Sequence, residues 1–169
     1  MQGIFPVGEY WAFTDPYNPE TIIPFLAELE EYIEAEGPFD ALFGFSYGAA
    51  LAGTFLMDQQ RKNPMKLSFS FKCAIFICSL APFKVVGDRV QQMSGHTDGE
   101  SLSIPTAHIF GSKDDECYEG SLELMKLCNA KVREAFDHGG AHEIPRGGKV
   151  TSDMASVITK TIEKALMQH

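Results

Sequence analysis

The chain has 169 residues, of which 44% are hydrophobic and 22% are charged, and its 23 acidic and 14 basic residues give a formal net charge of −9. This length suffices for one domain with a hydrophobic core, and we expect residues 1–169 to form a single domain. The acidic balance argues against nucleic acid as a partner and against an electrostatic membrane anchor, since both depend on Lys and Arg. No apolar run approaches the roughly 20 residues of a transmembrane helix, and no signal-peptide pattern is recognisable.

The four cysteines, Cys73, Cys78, Cys117 and Cys128, form no C-x-x-C motif and no short Cys/His spacing typical of zinc sites. We therefore expect all four to be reduced and mostly buried, in a cytoplasmic protein. No metal or cofactor is expected from the sequence.

The first regular element predicted is a helix over residues 18–36, after an aromatic, proline-rich segment that we expect to wrap the surface. Asn18 can cap this helix and Pro19 suits its first turn. Gly37-Pro38 ends it. Its apolar residues recur at helical spacing and predict one buried stripe, formed by Ile22, Ile23, Leu26, Leu29 and Ile33.

A strand, a sharp turn and a second helix are predicted next. Residues 39–45 are typical of a short buried strand, and the small residues from Tyr47 onward favour a helix that runs to about Arg61. Between them, residues 44–48 read Gly-Phe-Ser-Tyr-Gly, the G-x-S-x-G pattern of a nucleophile elbow. Such a turn leaves little room around Ser46, which predicts the two glycines, and it presents the helix N-terminus to a developing negative charge.

The remaining elements alternate between strand and helix, which predicts the α/β class with a mainly parallel sheet and helices on both faces. Residues 81–104 carry few regular signals, and we interpret them as a loop or short cap over the site; a surface excursion without a role stays open. Residues 131–138 are partly polar, which favours a strand near the sheet edge. The predicted strands are 72–79, 106–111 and 131–138, and the helices are 119–129 and 151–167.

A serine nucleophile needs a base and an acid, which in α/β-hydrolases follow it in the order Asp/Glu and then His. Asp114 is the preferred acid because it follows the strand at 106–111 by about three residues, and Asp115 is the alternative. His142 is the preferred base because it lies in a glycine-containing loop after the last strand, with His138 as the alternative. A metal pair of these two histidines is disfavoured, because Gly139-Gly140 opposes the helix that their spacing would need.

Two further side chains are assigned no catalytic role. His108 lies inside a predicted strand, which favours a hydrogen-bonded core histidine. Cys117 lies close to the acid loop but lacks an elbow and a nearby base, so a cysteine nucleophile is not expected.

Three segments together resemble the fungal-type serine hydrolase family (FSH family): residues 37–51 around Ser46, residues 104–114 and residues 138–145. The family includes yeast serine hydrolases, the human ovarian-tumour-candidate hydrolase, and thioesterases and esterases of fungal polyketide clusters. The resemblance covers nearly the whole chain. It implies an α/β-hydrolase fold in which Ser46 is the nucleophile, Asp114 the acid and His142 the base, with no cofactor or metal.

The chain departs from this family in its N-terminal region. Family members usually begin with a strand and an L-H-G-x-G loop that supplies one oxyanion-hole amide, and this sequence shows neither. The backbone N–H of Tyr47 would be the retained donor. In the family the elbow strand is central, so we expect residues 39–45 to lie at or near a sheet edge here, partly shielded by residues 1–13.

These observations predict a serine hydrolase that cleaves carboxylic esters or thioesters through an acyl-enzyme. Its substrate is expected to be a small-molecule ester or thioester, and the fungal relatives imply release of a polyketide or other acyl chain from a carrier protein as one role. The alternative is a non-catalytic α/β-hydrolase-fold binding protein, which the missing front of the fold favours.

Overall fold

The computed structural model describes residues 14–15, 18–64 and 71–168. The expectation that residues 1–13 shield the sheet edge lies outside them. The strands are β1 Ala41–Phe45, β2 Cys73–Ile77, β3 Phe83–Val86, β4 Arg89–Gln92, β5 Thr106–Phe110 and β6 Glu134–Asp137. The helices are α1 Ile22–Glu36, α2 Tyr47–Lys62, α3 Gly95–Asp98, α4 Tyr118–Leu127 and α5 Gly148–Met167.

Four strands form one parallel sheet in the order β1-β2-β5-β6, so the predicted parallel sheet is confirmed. All five residues of β2 and all five of β5 are buried, as expected of central strands covered on both faces. The edge strands β1 and β6 instead mix exposed and less exposed residues. The partly polar sequence of β6 correctly predicted its edge position.

Alternate residues of β2 point into two separate cores, and helices cover both. Ala74 and Phe76 pack in a cluster with buried residues of α1, α2 and α4. Ile75 and Ile77 pack in a second cluster that includes Ala165 of α5. The predicted helices on both faces of the sheet are therefore confirmed. Helix α2 is buried from Ala49 to Gln59, consistent with its small residues.

Several element ends differ from the predicted ones. A 3-10 turn over Pro19–Thr21 precedes α1, and Asn18 is the N-cap of that turn, where its carbonyl accepts the Thr21 amide (3.1 Å) and its side chain makes no capping hydrogen bond. Helix α5 begins at Gly148, ahead of the predicted start at residue 151. Strand β6 begins only at Glu134, because the amides of Val132 and Arg133 both donate to the Asn129 carbonyl and form a turn.

The segment predicted as a loop or cap is more regular than expected. Strands β3 and β4 form an antiparallel hairpin that lies along α2. The Phe83 amide donates to Thr54 Oγ1, and Arg61, in the last turn of α2, donates to the Val85 carbonyl. The hairpin thus extends toward the C-terminal end of α2, away from Ser46 at the N-terminal end. The hairpin approaches the site through its first residue, Phe83, whose ring meets that of Tyr47 edge-on, and the remainder does not form the expected cap.

Strand β1 lies at the edge of the sheet, as predicted. It pairs with β2 on one side, and no strand within the described ranges pairs with its other side. Phe43 in its middle is 55% exposed. Beside this edge, between α1 and α2, lies an apolar groove of about 660 Å³, whose lining includes Phe25, Leu29, Phe43 and Leu51.

All four cysteines are free and buried, as predicted. None of the helices in the described part of the chain combines the length and the hydrophobicity of a membrane-spanning segment.

Candidate active site

Ser46 lies in the turn between β1 and α2 with backbone angles of φ 57° and ψ −129°, a conformation that non-glycine residues rarely adopt. A backbone hydrogen bond anchors this turn to β2: the Ser46 amide donates to the carbonyl of Ile77, the last residue of that strand (2.9 Å). The Ser46 carbonyl accepts the amide of Ala49 (3.0 Å) and so begins helix α2. The predicted strand–turn–helix around the serine is therefore present.

The two glycines of the motif differ in their surroundings. A Cβ on Gly44 would lie 2.5 Å from the Cα of Ala49, so the close approach of helix to strand requires glycine there. A Cβ on Gly48 would meet nothing within 4 Å among the described residues. The prediction that crowding explains the glycines is therefore confirmed for Gly44, whereas the described residues show no such contact at Gly48.

The structure brings together Ser46, His142 and Asp114, the three residues that the sequence selected. His142 Nε2 lies 2.8 Å from Ser46 Oγ, and His142 Nδ1 lies 2.8 Å from Asp114 Oδ2. Since a carboxylate can only accept, Nδ1 carries the proton, and Nε2 is left to accept the serine hydroxyl proton. This is the hydrogen-bond order of a serine–histidine–aspartate triad.

Asp114 is 2% exposed, and its carboxylate is held by the backbone as well as by His142. Its Oδ1 accepts the amides of Cys117 (3.0 Å) and Glu116 (3.2 Å). Burial favours the neutral acid, but the hydrogen bonds from His142 and from these amides outweigh it and hold the pKa of Asp114 below its ordinary value. The carboxylate is thus charged and oriented, whereas the alternative acid, Asp115, is exposed.

The loop that carries His142 packs directly on the loop that carries Asp114. The Lys113 amide donates to the Gly140 carbonyl (3.0 Å). A Cβ on Gly111 would lie 2.2 Å from that same carbonyl oxygen, so only glycine allows the two loops to approach this closely. Phe45 lies against the His142 ring at a centroid distance of 5.0 Å. These contacts fix the imidazole between acid and serine.

Two other histidines considered from the sequence lie apart from the serine. His138, the alternative base, accepts the Gly140 amide at Nδ1 (3.2 Å), and its Nε2 faces the thiol of Cys78 at 3.7 Å. His108 is 2% exposed and bonds Thr106 Oγ1 through Nε2 (2.9 Å). Burial lowers the pKa of His108 to about 3, so it is a neutral core side chain, as predicted.

The predicted oxyanion donor is the amide of Tyr47, the first residue of α2. Amides in the first turn of a helix lack an acceptor within the helix and lie at the positive end of its dipole. Two contacts fix the Tyr47 side chain: its hydroxyl accepts a hydrogen bond from Thr14 (3.2 Å), and its ring meets Phe83 edge-on.

Two residues beside the triad were not identified from the sequence. Cys78 follows β2 directly and lies next to Asp114 and His142. Asp137, the last residue of β6, accepts amides from both the acid loop and the base loop. The sequence feature that could have identified them is their position at the C-terminal ends of predicted strands, where ligand sites of parallel sheets lie.

A serine in an elbow, a histidine and a buried aspartate at one edge of a parallel sheet define a serine hydrolase of the α/β-hydrolase type. The chain belongs to the serine hydrolase (FSH1) family, which it matches over residues 9–154. It is 36% identical over 165 residues to Esterase FPY3 of Fusarium mangiferae, an alignment that covers 94% of this chain and 73% of that esterase.

Other relatives share the same region. Hydrolase phiM of a fungal species is 32% identical over 129 residues, covering 76% of this chain and 61% of the relative. Family of serine hydrolases 3 of Saccharomyces cerevisiae is 28% identical over 160 residues, covering 90% and 58%. The chain thus spans between about half and three quarters of the length of the curated relatives it matches.

Two solved esterase structures share the fold. A carboxylesterase of Bacillus cereus superposes with a TM-score of 0.53 at 18% identity, covering 88% of this chain and 68% of that one. A fungal esterase from Rhizomucor miehei superposes with a TM-score of 0.56 at 14% identity, covering 92% and 62%. The α/β-hydrolase fold predicted from the sequence is confirmed, and the family relatives support an ester-hydrolysing enzyme.

Proposed function

We propose that this chain hydrolyses carboxylic esters or thioesters through an acyl-enzyme on Ser46, with His142 as base and Asp114 as the acid that orients it. The observation that carries this proposal is the continuous hydrogen-bond chain from Ser46 Oγ through the His142 ring to Asp114 Oδ2, with both contacts at 2.8 Å. This chain joins residues from three loops at one edge of the sheet. Its order leaves His142 Nε2 free to accept the proton of the Ser46 hydroxyl.

The first half of the reaction forms the acyl-enzyme. Ser46 Oγ attacks the substrate carbonyl carbon while its proton passes to His142 Nε2, and the carbonyl π electrons move to the oxygen. The tetrahedral intermediate then collapses, the bond to the leaving alcohol or thiol breaks, and the imidazolium returns the proton to that group. Asp114 stays ionised and stabilises the imidazolium, consistent with its lowered pKa.

The second half releases the acid. Water replaces the leaving group, His142 accepts one of its protons, and the hydroxide adds to the acyl carbon. Collapse of the second tetrahedral intermediate restores Ser46 Oγ–H and frees the carboxylic acid. Every proton that moves in both halves passes through His142, so no cofactor is needed.

The Tyr47 amide would stabilise the oxyanion in both tetrahedral intermediates. A preorganised amide of this kind contributes a factor of about 10²–10³ to the rate. The family's second donor comes from the L-H-G-x-G loop, for which this sequence has no counterpart.

The acyl group is proposed from similarity alone. The matched fungal relatives include Esterase FPY3, Esterase FUS5 and Hydrolase phiM, and the sequence resembles esterases and thioesterases of fungal polyketide clusters. We propose a small-molecule ester, or an acyl chain held as a thioester on a carrier protein, as the substrate. The free, buried cysteines support a reducing, cytoplasmic location.

A fluorophosphonate probe tests this function, because it phosphonylates activated serines. The wild-type chain should be labelled, Ser46→Ala should not, and Ser156→Ala, which removes an exposed serine hydroxyl of α5, should be labelled as the wild type is. A folded wild-type chain that resists labelling and does not hydrolyse p-nitrophenyl esters would instead favour the non-catalytic binding protein.

A further inference from the structure

Cys78, Asp114 and His142 place a sulfur, a carboxylate oxygen and an imidazole nitrogen within 4.8 Å of one another. We propose that these three residues form a site for a thiophilic divalent cation of the Zn²⁺ class, and that its occupancy switches the hydrolase off. The binding site stands on the geometry of the three side chains. The inhibition rests in addition on the proposed function.

The backbone holds the Cys78 thiol at this edge of the sheet. Cys78 has a φ of 47°. In the described part of the chain, Ser46 is the one other non-glycine residue with a positive φ. Its amide donates to the Ile109 carbonyl (2.8 Å), which anchors the turn to β5. Left-handed backbone at a cysteine is unfavourable, and it persists because the surrounding contacts impose it.

The thiol lies between the two loops of the site rather than in the hydrophobic core alone. It donates to the carbonyl of Glu143 (3.5 Å), the residue after His142, and its sulfur lies 3.7 Å from His138 Nε2. The sulfur is therefore surrounded by polar groups of the base loop on one side and by Asp114 on the other.

The charge at this position favours a cation. Asp114 is buried and ionised. Among the ion pairs of the described residues its partner is His142, and an imidazole that acts as a base is neutral. The Lys and Arg ion pairs in the described ranges involve other carboxylates, Asp58 and Asp98 among them. A divalent cation would supply the positive charge that this buried carboxylate lacks.

The donor set is suited to zinc. Sulfur, imidazole nitrogen and carboxylate oxygen are its usual ligands, at about 2.0–2.3 Å, and three protein ligands leave a fourth position for water. Drawing the three donors onto one ion requires a small movement. Rotation of the His142 side chain, which is 28% exposed, can provide it without moving the loop backbone.

Binding balances as the exchange of one proton for the metal. The Cys78 thiol loses its proton to solvent as the metal–sulfur bond forms. Coordination through His142 Nδ1 moves the ring proton to Nε2, whereas coordination through Nε2 occupies the lone pair itself. In either case Ser46 loses its proton acceptor, so a metal-bound enzyme cannot form the acyl-enzyme.

Direct metal binding is tested in the Ser46→Ala variant, which has no hydrolytic activity to depend on. Co²⁺, a spectroscopic substitute for Zn²⁺, should give a sulfur-to-cobalt charge-transfer band and the visible absorption of a tetrahedral site. Zn²⁺ should displace it. Adding Cys78→Ser or Cys78→Gly should remove the charge-transfer band, and glycine also suits the positive φ at this position. Cys73→Ser, at a buried cysteine that begins β2, is the matched control and should retain the band.

Inhibition is then measured on the active enzyme with a p-nitrophenyl ester. Micromolar Zn²⁺ should inhibit, a chelator should restore the rate, and Mg²⁺ should have no effect. The inhibition of each variant is measured relative to that variant's own metal-free rate. Cys78→Ser or Cys78→Gly should raise the inhibitory Zn²⁺ concentration about tenfold or more. Cys73→Ser should leave it unchanged. Absence of the cobalt–sulfur band in folded Ser46→Ala overturns the site. An unchanged inhibitory concentration in both Cys78 variants overturns the switch. A lack of esterase activity without metal overturns the proposed function instead.

Discussion

The carboxylate of Asp137 accepts the backbone amide of Ser112 at 2.9 Å, and so joins the end of β6 to the loop that carries the proposed catalytic acid. The same oxygen, Oδ1, accepts the amide of Gly139 in the loop of the base, at 2.7 Å. Burial opposes its charge, but these amides hold the pKa of Asp137 below its ordinary value. One exposed side chain outside the triad therefore fixes the separation of the two loops.

Asp137→Ala should lower kcat by about tenfold to a hundredfold with little change in KM, because the Asp114–His142 geometry loosens while no substrate contact is lost. Asp137→Asn keeps an oxygen acceptor and should recover most of kcat. Steady-state kinetics of both variants checks this. Equal losses in the two variants would mean that the charge of Asp137, rather than its acceptor geometry, matters.

His142→Ala should reduce kcat by several orders of magnitude, roughly as much as Ser46→Ala, since the members of a triad act as a unit. His138→Ala should matter far less, because His138 contacts the Gly140 amide and Cys78 instead of the serine. Ester hydrolysis by the two purified variants ranks the histidines. The reverse ranking would move the base to His138.

Asp114→Asn should leave the chain folded and lower turnover by roughly 10⁴, because an amide nitrogen facing Nδ1 would favour the wrong imidazole tautomer. Asp115→Asn is the control next in sequence, and its exposed side chain predicts nearly full activity. Circular dichroism should show the same fold for both variants. A large loss in Asp115→Asn alone would show that the acid is misplaced by one residue.

Stability should fall at alkaline pH through the buried thiols. Burial raises the pKa of Cys78 and Cys117 to about 11 and that of Cys128 to about 12, above the ordinary thiol pKa of about 8.5. The stabilisation from keeping these thiols neutral is complete below the unfolded-state pKa and is lost as pH rises through the folded-state values. The melting temperature should therefore stay level to about pH 8 and decline above it. Cys128→Ala should show a shallower decline, and an identical slope would contradict this origin.

Within the described residues β1 pairs on one side, which predicts that an upstream extension improves the protein. Adding the first strand and L-H-G-x-G loop of a longer relative should pair the other side of β1, cover the groove at Phe43 and supply a second oxyanion amide. The extended form should melt at a higher temperature and turn over faster by about 10²–10³. Thermal melts and kinetics of the two forms side by side measure both effects. If they match, the oxyanion hole is completed by another backbone donor.

The sequence predicted those features that depend on local pattern. The apolar runs of β2 and β5 indicated buried parallel strands, and the elbow motif with Asp114 and His142 indicated three loops that meet at one sheet edge. Each of these signals is confined to a short stretch of chain, so chain order and the parallel topology are enough to bring the residues together.

The features that the sequence missed depend on contacts between distant segments. The β3–β4 hairpin is stabilised by Thr54 and Arg61 of α2, which its own sequence does not reveal. Cys78 was interpreted as part of an apolar strand, but the strand ends at Ile77 and the chain turns there. The sequence analysis explained Gly48 by crowding, which the described residues do not show around it. The difference between Gly44, which is crowded by Ala49, and Gly48 becomes visible only in the folded structure.

The backbone of Ser46 has a consequence for how this protein evolves. At φ 57° and ψ −129° a serine is strained by about 1–3 kcal/mol, a penalty that glycine would largely avoid. Selection for stability alone would thus favour the substitution Ser46→Gly, while selection for hydrolysis retains the hydroxyl. A lineage released from catalysis would be free to lose this serine first, and this chain still has it.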